Sequence, residues 1–296
     1  MELKKVNELV YYVAAHTNIG AIRCGEKAVI LVDTGIDEDG GKKLLRILAD
    51  AGLNVRAIIN THSHADHCGG NKYIKQRTGA KIYAPAFEAA IITYPLLEPV
   101  AFFSGANPPG ALRNKFLMAE PSDVDFVIEE GKVKIDEAEI RILPLPGHSI
   151  NQVGVEAGNV LFCADSLFSA DTLEKHKIPF FVDIEKTRQT LRFLRDTKYD
   201  FYVPSHSEPS SSLTSLIDRN LEAIDGIERC LLETLRGRKT TEQVLREVCT
   251  AYGIEIKTEQ QYYLMNTAVM AYLSMMQKSG KAKMLVEDNS LWWEKS

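Results

Sequence analysis

The sequence predicts a layered α/β protein with a helical C-terminal region, and three observations support this fold class. Residues 1–208 alternate short apolar, β-branched runs with segments of helical periodicity. After residue 208 the pattern changes to amphipathic helices. The composition, with 45% hydrophobic and 25% charged residues, is typical of a globular protein and excludes a disordered or fibrous chain. We therefore expect two domains, residues 1–208 and residues 209–296.

The first region contains nine runs that predict strands and four that predict helices. The predicted strands are Val10–Ala15, Ala28–Val32, Val55–Asn60, Lys81–Tyr83, Lys132–Ile135, Glu139–Leu143, Gln152–Glu156, Val160–Cys163 and Asp200–Pro204. The predicted helices are Glu38–Ala51, Gly70–Thr78, Phe87–Tyr94 and Glu185–Thr197. Mixed strands and helices over a region of this length favour sheets covered by helices.

Residues 95–122 interrupt this pattern with five prolines and several aromatic side chains. Such a segment predicts a long irregular insertion. It is either a surface loop packed by its own side chains or a lid or substrate wall, because long ordered loops in compact domains are often functional.

The C-terminal region predicts three helices followed by a β-hairpin, which is the order of a winged helix. We expect Ser210–Ser212 to cap a first helix that reaches Arg236. The other elements are helices over 240–252 and 258–279 and a hairpin over 282–293. Because residues 210–296 carry 11 basic and 12 acidic side chains, a nucleic-acid partner is disfavoured. The apolar third helix favours a packing role or a homodimer contact.

Charge, cysteines and hydropathy bear on the compartment. The net charge is −5, and the five cysteines are scattered with no close pair, which favours a reducing compartment. The apolar run at 9–15 predicts a strand and not a cleavable signal. Residues 260–277 lack charge but include six polar side chains, too many for a membrane span. We expect a cytoplasmic protein with no membrane segment.

Histidines cluster directly after the predicted strand 55–60. His62, His64, Asp66 and His67 fall within six residues. On an extended segment His62 and His64 project to the same side, because side chains alternate. Core packing explains one buried histidine but not three with an acid, so the cluster predicts a metal site. His148, Asp165 and His206 each follow a later predicted strand, as in α/β proteins that build sites at sheet ends.

In these residues the sequence resembles the metallo-β-lactamase-fold superfamily, whose signature is His-x-His-x-Asp-His followed by a distal His, Asp and His. The likeness covers about residues 5–208 and includes Val32-Asp33-Thr34-Gly35, where the aspartate is usually structural. It implies a four-layer αββα sandwich with metals at one rim. Two departures, Ala164 for a common glycine and Ser149 for a common threonine, remove no ligand.

The resemblance also implies a ligand set for two divalent metal ions. One metal takes His62, His64 and His148, the other takes Asp66, His67 and His206, and Asp165 bridges them. Zinc fits these ligands best, and iron or manganese suits them too. A hydroxide bridging the metals would be the nucleophile, and Asp66 would be catalytic, orienting it or moving a proton. With this set complete, Cys68 and Cys163 are expected to pack in the core.

The reaction implied is hydrolysis of a small-molecule ester, thioester or lactone, as in the glyoxalase II-like branch, which Ala164-Asp165-Ser166-Leu167-Phe168 resembles. The C-terminal region is more similar to the extension of the lactamase-β-like 2 family, some of whose members cut RNA. A nuclease is therefore one alternative. An iron-dependent persulfide dioxygenase, which uses one metal, and a metal-binding protein without catalysis are the others.

Overall fold

Two β-sheets form the centre of the protein, as the computed structural model shows for all residues 1–296. The first sheet has the order β1-β2-β3-β4-β5-β6-β7 and the second has the order β12-β11-β10-β9-β8. Their strands are β1 (Glu2–Lys5), β2 (Val10–Ala14), β3 (Ile19–Arg23), β4 (Ala28–Val32), β5 (Asn54–Ile59), β6 (Lys81–Pro85), β7 (Phe126–Ile128), β8 (Gly131–Ile135), β9 (Ala138–Pro144), β10 (Val153–Ala157), β11 (Val160–Ala164) and β12 (Phe201–Pro204). Strands β4 to β7 are parallel, as are β11 and β12, so helices must return the chain between them.

Ten helices and a hairpin complete the chain. The helices are α1 (Glu38–Asp50), α2 (Ala65–Cys68), α3 (Asn71–Thr78), α4 (Ala86–Thr93), α5 (Leu97–Phe102), α6 (Ala170–His176), α7 (Ile184–Asp196), α8 (Thr214–Thr234), α9 (Thr241–Ala251) and α10 (Glu259–Lys278). The hairpin pairs β13 (Ala282–Glu287) with β14 (Ser290–Lys295). No helix is both long and apolar enough to cross a membrane.

The layers follow from the alternation of side chains along the strands. In β4, Ile30 and Val32 lie in the core between the two sheets, whereas Val29 and Leu31 lie against the helices on the outer face. Leu44 of α1 belongs to that outer layer. The second sheet is covered in the same way by α7 and the C-terminal helices. The four-layer αββα architecture predicted for this sequence is thus confirmed.

The C-terminal helices continue the outer layer of the second sheet. One hydrophobic cluster runs from Leu161 of β11 through Leu191 of α7 to Ile224 of α8 and Tyr272 of α10. Three helices and a hairpin occur in the predicted order. The serines before α8 do not cap it, because the helix starts at Thr214 and Ser210 instead exchanges backbone hydrogen bonds with Tyr202. The prediction of a serine cap is wrong, and the domain division at residue 208 stays a prediction.

Several elements were absent from the sequence prediction. Strands β1 and β7 have only four and three residues, and mostly exposed ones, so they carry no apolar alternation to detect. Strand β3 contains Gly20, which lowers its strand propensity. The 95–122 segment is not irregular throughout, because α5 lies in it and residues 110–112 form a 3₁₀ turn. Cys68 and Cys163 are buried, as predicted, and all five cysteines are free.

Candidate metal centre

The seven predicted site residues lie together at one rim of the two sheets. Their positions are His62 and His64 after β5, Asp66 and His67 in α2, His148 after β9, Asp165 after β11 and His206 after β12. Loops that leave the ends of strands can present polar side chains without disturbing the sheet. The rim therefore gathers donors from parts of the chain that are distant in sequence.

The first group of donors consists of three histidines. The Nδ1 atom of His64 lies 3.2 Å from Nε2 of His62 and 2.9 Å from Nε2 of His148. The rings of His62 and His148 meet edge to face, with centroids 5.1 Å apart. Three ring nitrogens thus face one point, as expected for the ligands of a single cation.

Hydrogen bonds at the other ring nitrogens fix which nitrogen faces inward. Nδ1 of His148 donates to the carbonyl oxygen of Phe180 at 2.9 Å. Nδ1 of His62 lies 3.1 Å from Oγ1 of Thr61, whose proton goes to Asp33. Both rings therefore keep Nε2 unprotonated toward the centre. Burial lowers the pKa of His62 well below its usual range and that of His148 to about 4, so both stay neutral.

The second group is built around Asp165. Its Oδ2 lies 3.2 Å from Nε2 of His206 and 3.4 Å from Nε2 of His148, and its Oδ1 lies 3.4 Å from Nε2 of His67. Asp66 Oδ2 is 3.2 Å from Nε2 of His206 and 3.7 Å from Nε2 of His67. Asp165 therefore contacts histidines of both groups, the placement that a bridging carboxylate requires.

The charges of this group support each other. Burial disfavours every charged form here, but the attraction between opposite charges outweighs it. The carboxylate of Asp165 raises the pKa of His206 to about 10 despite burial, and it also raises the pKa of His67. In return the histidines hold the pKa of Asp165 and of Asp66 below their usual range. The protons on His67 and His206 thus balance the two carboxylates, and bound cations would replace those protons.

Two buried atoms at the centre have no hydrogen-bond partner, which tests whether metals fit. They are Nε2 of His67 and Oδ1 of Asp165. Native proteins rarely leave buried polar atoms unpaired, and an absent ion is one explanation. The donor atoms also fall into sets of three within 4.8 Å, among them His62-His64-His148 and His62-His67-Asp165. Nitrogen and carboxylate donors at these spacings fit divalent transition metals such as zinc.

Buried carboxylates behind the donors hold the loops in place. Asp33 Oδ2 accepts from Nδ1 of His67 at 2.8 Å, and Oδ1 accepts from the Thr61 backbone nitrogen at 2.8 Å. Glu88, fully buried on α4, accepts from the backbone nitrogens of Ser63 at 3.0 Å and Asn151 at 2.9 Å. Glu88 thereby ties the loop of His62 and His64 to the loop of His148.

The backbone conformation at Ala164 explains why glycine is common at this position of the family pattern. Ala164 has a φ angle of 50°, in the left-handed region that glycine adopts without strain. Alanine there costs about 1 kcal/mol or more, yet it still delivers Asp165 to the centre.

Sequence reasoning missed four polar residues near the centre. Thr17 donates to Asp66 Oδ2 at 2.9 Å, and His16 lies beside His206 with ring centroids 5.4 Å apart. Glu88 acts through the loops, and Glu98 of α5 lies 3.9 Å from Nε2 of His64. Glu88, a carboxylate inside the apolar segment 86–93, was one sequence signal of a buried polar role. His16 was another, because it directly follows the apolar run 9–15.

A cavity of about 810 Å³ opens above these residues. Its walls come from the 95–122 segment, from α6 and the residues that follow it, and from the C-terminal region. The 95–122 segment contributes Glu98, Phe116 and Leu117, which supports the second interpretation of that segment, a substrate wall. The C-terminal region contributes Leu264 and Met265 of α10, among others. The candidate metal ligands thus lie at the floor of the pocket, and elements outside the two sheets form most of its walls.

Comparison with known proteins places this geometry in a family. A family model described as the metallo-beta-lactamase superfamily matches residues 13–206. The hydroxyacylglutathione hydrolase of Rhodospirillum rubrum is 30% identical over 151 residues, which cover 50% of this chain and 47% of that protein. The hydroxyacylglutathione hydrolase GloC of Haemophilus influenzae is 26% identical over 164 residues, 54% of this chain and 71% of that protein. The chain spans about half the length of several such relatives.

A solved structure resembles the whole chain. A metallo-beta-lactamase family protein from Thermus thermophilus matches with a TM-score of 0.74 at 17% sequence identity, covering 99% of this chain and 97% of that one. At that identity the likeness concerns the fold. It extends over the C-terminal helices, which lie beyond the residues that the family model matches.

Proposed function

The chain belongs to the metallo-beta-lactamase superfamily, and we propose that it is a binuclear, metal-dependent hydrolase of a small thioester, ester or lactone. One observation carries the proposal: two groups of donors converge on the shared carboxylate of Asp165 at the floor of a cavity. Paired metal ions with a shared ligand are typical of hydrolytic sites.

We propose zinc for both positions. When bound, the two ions would polarise the scissile carbonyl group and make a water molecule nucleophilic near neutral pH. His62, His64 and His148 would hold the first ion, Asp66, His67 and His206 would hold the second, and Asp165 would serve both. The neutral histidines of the first group need lose no proton before they bind a cation.

Asp66 is the residue to which we assign proton transfer. It lines the cavity, and Thr17 fixes its carboxylate through the 2.9 Å hydrogen bond to Oδ2. An oriented carboxylate beside the reacting atoms can position the attacking water and accept its proton. The same carboxylate then passes the proton to the leaving sulfur or oxygen.

The substrate class is inferred from the relatives and from the cavity walls. The relatives are named as hydroxyacylglutathione hydrolases, which points to an acylated thiol, that is, a thioester. The walls include Phe168, Phe180, Leu264 and Met265, so they favour an apolar acyl or leaving group. The rings of Phe168 and Phe180 both lie 5.7 Å from the ring of His148, which places apolar surface beside the reaction centre.

The charges of the cavity disfavour a nuclease. Five acidic side chains and two lysines line it, whereas phosphate backbones require concentrated positive charge. The two donor groups also disfavour an oxygenase that uses one metal.

Elemental analysis and thioester hydrolysis test the proposal together. We expect two equivalents of metal in the purified full-length protein, dominated by zinc, and hydrolysis that does not weaken with salt. His64→Ala and Asp165→Asn should abolish turnover while the circular dichroism spectrum stays unchanged. Lys42→Gln, an exposed change on α1, serves as the control and should keep full activity. Full activity of either site variant, or RNA cleavage that falls steeply with salt in place of thioester hydrolysis, refutes the proposal.

A further inference from the structure

His16 is a histidine outside the family signature that nevertheless lies at the second metal position. It belongs to the loop between β2 and β3. One of its ring nitrogens, a carboxylate oxygen of Asp66 and a ring nitrogen of His206 all lie within 4.8 Å of one another. Neither ring nitrogen of His16 makes a hydrogen bond within the chain. The His16 imidazole, which has no hydrogen-bond partner, thus lies beside Asp66 and His206 of the second group.

The loop that carries His16 is fixed to the site by its backbone and its neighbours. The carbonyl oxygen of His16 accepts from Nδ1 of His206 at 3.0 Å, which turns Nε2 of His206 inward. Thr17 donates to Asp66, and Asn18 donates to the carbonyl oxygens of Pro204 and Ser207 at 2.8 Å each. Because these bonds anchor the loop at His16 and the two residues after it, the imidazole projects from a fixed backbone beside Asp66 and His206.

The other histidine outside the signature gives a contrast. His176, at the end of α6, also lines the cavity and is exposed. It belongs to none of the groups of donors within ligating distance. Exposure on the cavity wall therefore does not by itself bring a histidine to the metal centre. The anchored loop does so for His16.

We propose that His16 is a further ligand of the second metal ion, beside Asp66 and His206; this inference rests on the proposed two-metal site. Among the residues proposed to hold the second ion, His67 is buried and held by Asp33, whereas His16 is exposed. An additional imidazole favours zinc or iron over manganese, which prefers oxygen donors. His16 thus strengthens the second position and biases which metal occupies it.

Zinc binding to the full-length protein, measured by chelator competition, tests this role. His16→Gln removes the imidazole but keeps the backbone carbonyl that orients His206. We expect the second zinc equivalent to bind at least about tenfold more weakly, with the first equivalent unchanged. With manganese the loss should be smaller. In the cobalt-substituted protein the visible absorption of the second ion should change. His176→Gln is the matched control and should leave both zinc affinities as in the wild type.

The outcomes separate this inference from the proposed function. An unchanged second zinc affinity in His16→Gln overturns the inference, even if turnover falls, because His16 would then act on protons and not on the metal. A wild-type protein that binds only one equivalent overturns it too. A wild-type protein that holds two equivalents with the expected dependence on His16, yet hydrolyses no thioester, refutes the proposed function alone.

Discussion

Replacing Asp33 by asparagine should weaken metal binding at the proposed second position without altering any ligand. Asp33 is buried, and its two oxygens accept from three donors: the backbone nitrogen of Thr61 at 2.8 Å, Oγ1 of Thr61 at 2.7 Å and Nδ1 of His67 at 2.8 Å. Asparagine has one carbonyl oxygen, so in either orientation its NH₂ group faces at least one of these donors. Its shape is nearly the same, and it tolerates the φ angle of 65° found at Asp33.

The expected magnitudes follow from those contacts. A hydrogen bond to a charged group contributes about 1.5–3 kcal/mol, and a buried donor left unpaired costs about 1–3 kcal/mol. We therefore expect the metal-free variant to lose about 3 kcal/mol of unfolding free energy, which lowers Tm by roughly 5–10 °C. His67 would no longer be held with Nε2 inward, so zinc affinity at the second position should fall about 10–100-fold.

Chelator competition and denaturant unfolding measure the two effects. Asp136→Asn is the matched control. Asp136 also has a positive φ angle, 51°, and its carboxylate also accepts a short side-chain hydrogen bond, from Nε of Arg56 at 2.9 Å. That pair is exposed, so its loss should cost less than about 1 kcal/mol and leave metal binding unchanged. Two zinc equivalents bound with wild-type affinity in Asp33→Asn would show that the reasoning about His67 is wrong.

Three further sets of substitutions probe the loops, the backbone and the cavity. Glu88→Gln should destabilise the protein by about 2–4 kcal/mol in denaturant titrations and reduce turnover, because one amide cannot accept all the bonds the carboxylate accepts; unchanged unfolding would contradict this. Gly147→Ala should displace the loop that carries His148 and lower metal content, since the added Cβ would lie 2.7 Å from Cα of Thr187. Ala164→Gly should instead raise the unfolding free energy by about 0.5–1 kcal/mol, because glycine adopts the positive φ angle without strain. Unchanged metal content in the first variant, or a lower unfolding free energy in the second, would refute the respective expectation. Met265→Trp should lower kcat/KM for long-chain more than for acetyl thioesters, and equal losses for both would remove α10 from the acyl wall.

The sequence determined the architecture wherever a pattern was local. The apolar, β-branched runs of β4 and β5 and the helical period of α1 and α7 predicted a layered α/β protein, because buried strands and amphipathic helices carry these local patterns. The cluster of three histidines and an acid around His62 predicted a metal site by its composition. The resemblance to a known family supplied the full set of donors.

Only the tertiary structure decided which distant residues support those donors. Glu88 and Glu98 carry no spacing that relates them to the histidines, and α4 and α5 bring them there by packing. His16 is far from Asp66 and His206 in sequence, and it reaches them because the loop between β2 and β3 meets the end of β12 in space. Short edge strands such as β7 stayed hidden for a related reason: pairing with β6 holds β7 in place, and its three residues are too few to show a period.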